Sequence, residues 1–285
     1  MPRIAYVNGR YLPSDRALVS IEDRGYQFSD GVYEVCEVRG GAIIDERRHL
    51  ARLARSLGEL RIRAPMAQSA LAVILREVIR RNRVHNGIVY LQITRGVARR
   101  DFAFPPPHTQ PSLVVTARNL DLAANERRAD QGLAVVTVPE NRWARPDIKS
   151  VSLLANVLAK QAARDRGAAE AWFVDGQGRV TEGASSNAWI VTADGRVVTR
   201  PADNGILRGI TRTVLIGVIK AQNLLFEERP FSLEEAYRAR EAFVTAASQI
   251  VMPVTRIDDR PVGDGAPGPV AKSLRASFHS HAEWS

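Results

Sequence analysis

The chain of 285 residues has one cysteine, Cys36, so it cannot build an internal disulfide framework. A reducing compartment is the expectation, and the cytoplasm fits it. It has no apolar run near the roughly 20 residues that a membrane-spanning helix needs. The opening stretch, Met1-Pro2-Arg3-Ile4-Ala5-Tyr6-Val7, has no signal-peptide layout. There is no internal repeat and no low-complexity segment. Although the net charge is +9, there is no basic tail and no basic patch interleaved with aromatics. The arginines are spread along the chain, with short clusters at Arg47-Arg48, Arg80-Arg81 and Arg127-Arg128. This favours a solvated surface, or anion-binding arginines, over a nucleic-acid partner. Lysine is the other scarce residue. Only Lys149, Lys160, Lys220 and Lys272 occur, and the last three lie in polar or helical contexts where a surface lysine is ordinary.

An apolar fraction of 45% and a charged fraction of 25% are those of a globular protein, and the length allows two domains. Asn8-Gly9 between short apolar runs predicts a hairpin. Residues 32–38 alternate as a strand, and Gly40-Gly41 turns the chain into residues 42–44. Leu50, Leu53, Leu57 and Leu60 then mark one face of a helix, and a second helix covers about 67–82. Residues 88–94 and 113–117 read as buried strands, joined through the rigid Phe104-Pro105-Pro106-Pro107 loop. The pattern predicts a small N-terminal α+β domain over 1–120 and a polar interdomain linker over 121–131. A larger C-terminal domain over 132–285 would carry Lys149. Within it, strands are expected at 133–138, 170–174, 179–182, 187–192, 243–246 and 254–257. Helices are expected at 152–166, from Thr211 to about 223, and from about 268. The fold class is two-domain, α+β or α/β.

Lys149 follows Ile148 and a proline-containing turn, and precedes Val151, Leu153 and Leu154. A guanidinium stays charged and is a poor nucleophile, whereas a desolvated lysine amine can lose its proton and attack an aldehyde. The plainer reading is a lysine snorkelling at the end of a buried segment. Thr181-Glu182-Gly183-Ala184-Ser185-Ser186-Asn187 places a carboxylate that could pair with a protonated heteroaromatic nitrogen, in what could equally be a simple turn. Ile206-Leu207-Arg208-Gly209-Ile210-Thr211-Arg212 runs into a helix with Thr211 as its expected N-cap, and the first free N–H groups there suit a phosphate. In Asp23-Arg24-Gly25-Tyr26-Gln27-Phe28-Ser29-Asp30-Gly31-Val32-Tyr33-Glu34-Val35, the two-residue period puts Tyr33 and Val35 on one face.

Taken together, and in this order, these stretches resemble the D-amino-acid aminotransferases. These are class IV aminotransferases with the fold type IV architecture of pyridoxal-phosphate (PLP) enzymes. The resemblance covers nearly the whole chain. It implies a PLP-dependent, ping-pong aminotransferase moving amino groups between D-amino acids and 2-oxo acids. Lys149 would form the Schiff base and carry the proton, and Glu182 would pair with the pyridinium nitrogen. Arg52 and the backbone N–H groups of Ile210 and Thr211 would reach the phosphate, and Leu207 would pack on the ring. Tyr33 and Val35 would line the substrate side. A homodimer is also implied, with Arg99 and Arg100 acting across the interface, and no metal is expected.

Two departures from the family pattern stand out. Arg100 takes the position of the carboxylate-binding arginine, but Phe102 stands where a histidine is expected, and a phenyl ring donates no hydrogen bond. Losing a hydrogen bond to a charged group costs about 1.5–3 kcal/mol, so carboxylate binding weakens about tenfold or more unless Arg99 compensates. Ala247 replaces a hydroxyl near the phosphate, leaving only its backbone N–H. Phe102 motivates a second reading, an (R)-selective amine transaminase of the same fold. A branched-chain aminotransferase and an aminodeoxychorismate lyase-like enzyme share the lysine and glutamate, but residues 22–35 resemble theirs less.

Overall fold

The computed structural model describes residues 3–285. Met1 and Pro2, which begin the stretch without a signal layout, lie outside the described residues. The chain divides into two compact units.

The first unit contains residues 3–122, with Ile148–Ser152 and Glu283–Ser285. The predicted hairpin forms as β1 (Ile4–Val7) and β2 (Arg10–Pro13), with Asn8 and Gly9 both at positive φ in the turn. A short helix not expected from the sequence, α1 (Arg24–Phe28), begins where the Asp23 carboxylate accepts from the Gly25 N–H and ends at Ser29 in the left-handed region. It leads into β3 (Gly31–Arg39), which turns into β4 (Ala42–Ile43). Helices α2 (Glu46–Glu59) and α3 (Gln68–Arg81) follow, then β5 (Gly87–Thr94) and β6 (Ser112–Asn119). The strands form a six-stranded sheet in the order β2-β1-β6-β5-β3-β4. Val32, Cys36 and Val38 on one face of β3 join Leu50, Leu53 and Leu57 of α2 in the core. Tyr33 and Val35, on the other face, stay half-buried, as the alternation predicts.

The second unit holds residues 123–147 and 153–282. Its elements are α4 (Leu122–Gln131), β7 (Leu133–Pro139), α5 (Leu154–Asp165), β8 (Glu170–Val174), β9 (Arg179–Gly183), β10 (Asn187–Val191), β11 (Val197–Thr199) and α6 (Ile210–Ala221). They continue with β12 (Phe226–Glu228), β13 (Phe231–Ser232), α7 (Leu233–Tyr237), β14 (Glu241–Ala246), β15 (Ile250–Ile257), β16 (Arg260–Pro261) and α8 (Pro269–Ser277). Ten strands form one mixed sheet, with parallel pairing of β15 with β7, β7 with β8, and β11 with β12. Trp172, Ile190, Val198, Val244 and Met252 fill its core.

The structure corrects three expectations. The stretch 121–131 forms the helix α4, because alanine, glutamate and arginine favour helix, and the boundary between the units falls within it, after Leu122. The lysine segment Ile148–Ser152 groups with the first unit and not with the C-terminal domain. Helix α6 is capped at Gly209, and Thr211 lies inside its first turn. Gly209 is required there, because a Cβ would run into Asn187 Oδ1.

Candidate active site

In the first unit, backbone pairing fixes the lysine. The Tyr33 N–H donates to the Lys149 carbonyl at 3.0 Å, and the Val151 N–H donates to the Gly31 carbonyl at 3.0 Å. Ser150 bridges Val32, so residues 148–152 lie as an extra strand on the start of β3. The Lys149 Nζ then stands 4.2 Å from the centroid of the Tyr33 ring. Among the described residues this amine has no hydrogen bond and no acidic partner, which is unusual for a half-buried lysine. Tyr33 in turn stacks on Tyr90 at 5.6 Å. Burial, with the neighbouring Tyr33, pushes the Tyr90 hydroxyl up to about 12.

Arg52 lies under the same strand, on α2. It grips Glu34 with Nε to Oε1 at 2.7 Å and Nη2 to Oε2 at 2.8 Å. The His49 ring nitrogen Nδ1 donates to Glu34 Oε2 at 2.7 Å. Burial alone would raise the Glu34 carboxyl. The Arg52 charge and the bonds from Arg52 and His49 outweigh that and hold it well below the usual carboxylate range. Burial pushes His49 down, and the Arg52 and Lys149 charges add to this against the pull of Glu34. Neither Glu34 nor His49 was named from the sequence. The His49–Arg52 spacing on one helix face was a signal, but Glu34 looks like one more polar residue in an alternating strand.

In the second unit, Glu182 is buried on β9. Its carboxylate accepts from Arg142 Nη1, from Asn187 Nδ2 at 3.0 Å and from the Leu207 N–H at 3.1 Å. The Leu207 carbonyl accepts from the same Asn187 amide at 2.9 Å, so Leu207 takes part through its backbone. Arg142 also holds Glu140, through Nε to Oε1 at 2.9 Å and Nη2 to Oε2 at 2.6 Å. Burial would lower the Arg142 pKa, but Glu140 and Glu182 raise it. Arg142 and Glu140 were missed from the sequence, although they lie just before the lysine stretch.

Ile210 and Thr211 open α6, whose first turn has no side-chain cap. Their N–H groups are therefore orphan donors at the positive end of the helix, the arrangement that suits a phosphate. Ala247 lies in the turn between β14 and β15. That turn ends at Ile250, held at φ +61, a strained conformation for a β-branched residue.

Arg99, Arg100 and Phe102 lie together on the exposed loop after β5 in the first unit, with Phe102 85% exposed. The first unit thus supplies a free amine on Tyr33, and the second a buried carboxylate and an uncapped helix terminus.

A family model for class IV aminotransferases matches residues 31–257. The D-alanine aminotransferase of Staphylococcus haemolyticus is 38% identical over 278 residues, covering 98% of this chain and 97% of its own. The D-alanine aminotransferase of Staphylococcus aureus (strain MSSA476) is 37% identical over 278 residues, with the same coverage. Among solved structures, a T.th. branched-chain amino acid aminotransferase with pyridoxamine 5′-phosphate superposes with a TM-score of 0.91 at 26% identity. That match covers 98% of this chain and 94% of the other.

Proposed function

The chain belongs to the class IV aminotransferases, and from that premise we propose that it transfers amino groups between D-amino acids of the D-alanine type and 2-oxo acids in a ping-pong cycle. Class IV aminotransferases are PLP enzymes. Bound here, PLP would supply the aldehyde and the electron-withdrawing ring that make the substrate Cα–H acidic. The observation that carries the reading is the Lys149 amine, held over Tyr33 with no acidic partner among the described residues. An amine so placed is available both as nucleophile and as carrier of the Cα proton. Glu182, gripped by Arg142 and two neutral donors, is the group to hold the pyridinium nitrogen. The N–H groups of Ile210 and Thr211, and Arg52, are the anion-binding groups for the phosphate, with the Ala247 backbone as a further donor. Leu207 would pack on the ring. Tyr33 and Val35 line the substrate side, and Arg100, flanked by Arg99, would take the carboxylate.

The protein would work in the cytoplasm as a homodimer. Its first unit exposes Leu18 at 78%, Ile21 at 78%, Tyr26 at 76% and Phe102 at 85%, apolar surface that suits coverage by a second copy. Among the described residues no helix is long and apolar enough to cross a membrane. One observation favours a second reading. Phe102 makes the carboxylate loop more apolar than a histidine would, and this suits an (R)-amine donor.

The deciding experiment is a near-ultraviolet and visible spectrum of the PLP-incubated protein, before and after D-alanine. A band that appears with PLP and converts on adding D-alanine is expected. A band indifferent to D-alanine but responsive to (R)-1-phenylethylamine moves the assignment to the amine. No band at all removes Lys149 from the chemistry.

A further inference from the structure

Arg99 and Arg100 are adjacent, both exposed, and both bear five N–H donors. The structure treats them differently. The Arg100 guanidinium lies over the Phe28 ring, with Cζ 4.9 Å from the centroid. Among the described residues Arg99 lies over no ring. Among the described residues Arg100 makes no hydrogen bond and no ion pair, so its face is held while its donors stay open.

Phe28 is flanked on more than one side. Its other neighbour is Arg24, with Cζ 4.8 Å from the ring centroid. Arg24 is buried and held at two points. Its Nε donates to Asp30 Oδ2 at 2.8 Å, and its Nη1 donates to the Asp101 carbonyl at 2.6 Å. The second bond anchors the loop at the residue between Arg100 and Phe102. Phe102 closes the group, its ring 5.5 Å from Phe28 and tilted by 47°. Two more ties hold the loop base: the Arg24 N–H donates to the Gly96 carbonyl at 2.9 Å, and Arg95 grips Asp30 at 2.7 and 2.9 Å.

We infer that Phe28 is a positioning residue for substrate carboxylate binding: its ring is the platform that aims the open guanidinium of Arg100, and Phe102 buttresses that platform. This rests on the assignment of Arg100 to the carboxylate. It gives Phe102 a task its missing hydrogen-bond donor cannot perform. It also singles out Arg100 over Arg99 as the arginine that is pre-oriented. Holding a guanidinium by its face leaves its edge for bidentate recognition, the geometry a carboxylate requires.

The test uses the PLP-loaded enzyme and steady-state kinetics with D-alanine and 2-oxoglutarate, which must share the carboxylate subsite in a ping-pong cycle. Arg100→Ala is the control for the assignment and is expected to raise both KM values about tenfold or more. Phe28→Leu removes the ring and keeps the bulk. It is expected to raise both KM values together by about two- to fivefold, the size of an exposed cation–π interaction, with kcat unchanged. Phe28→Tyr keeps the π face and should restore both KM values.

If Arg100→Ala leaves KM unchanged, the carboxylate assignment fails. If Arg100→Ala acts but Phe28→Leu does not, the inference fails while the assignment stands. A Phe28→Tyr enzyme as impaired as Phe28→Leu also overturns it, because packing and not the ring face would then be at work. An enzyme inert towards D-alanine takes down the assignment and the inference together.

Discussion

The two units each bury a carboxylate against an arginine, but the arginine is shared differently. In the first unit Glu34 has one guanidinium, Arg52, and a neutral imidazole, His49, and nearby stands the amine of Lys149. In the second unit Arg142 serves both Glu140 and Glu182. A partly buried group without a compensating charge is expensive unless something later neutralises it. Lys149 is such a group, since its amine has no hydrogen bond and no acidic partner among the described residues. Glu34, Arg52 and His49 hold one another, and the Lys149 amine awaits chemistry.

The contrast can be broken most forcefully at Lys149. Lys149→Ala removes nucleophile and proton carrier together, so transamination should fall by about 10⁴-fold or more. Because the amine has no polar partner, chemical denaturation should show a stability change within about 0.5 kcal/mol. Retained turnover would end the contrast. Glu34→Gln should do the reverse. It strands buried Arg52 without its counter-charge, and urea unfolding should register a loss of about 3–5 kcal/mol. Glu182→Gln removes the buried carboxylate charge. It should lower kcat on the order of 10²-fold by analogy with other preorganised electrostatic groups, while bound PLP is still visible in the spectrum.

Smaller effects sharpen the same picture. Phe102→His adds a donor beside Arg100, and the KM for D-alanine should fall by up to about tenfold. Acid should act on the first unit through two depressed groups. His49 is held below its ordinary value of 6.5, so the unfolded chain takes up its proton first and stability declines as pH drops below that value. Glu34, held below its ordinary 4.5, adds its loss only further into acid. Thermal melts between pH 8 and 5 should show a slope of at most about 1.4 kcal/mol per pH unit from His49, which His49→Gln should flatten.

What the sequence disclosed was local. The two-residue alternation placed Tyr33 and Val35 on one face, and the scarcity of lysine singled out Lys149. The Asn-Gly turn and the leucine spacing of α2 are equally short-range. What stayed hidden depends on partners distant in the chain. Glu34 meets His49 and Arg52 only because α2 packs on β3, so no local pattern marked it as buried. Residues 148–152 join β3 across more than a hundred positions, so they belong to the first unit although the main boundary falls earlier, after Leu122 in the polar stretch. α4 hides for a different reason, since its polarity masks its helix propensity.

That added strand has a consequence for how the protein is made. A ribosome that has released the first 122 residues has delivered nearly all of the first unit, yet the Gly31 carbonyl and the Tyr33 N–H still lack their partners. The partners arrive only after some twenty-five residues of the second unit have passed. The nascent chain meanwhile carries an open strand edge at the very place that will hold the reactive amine. No fragment cut at the boundary near 122 can be a finished half. Lys149 is set in place by the same late event that closes the edge, so a chain released early is both sticky and chemically blank.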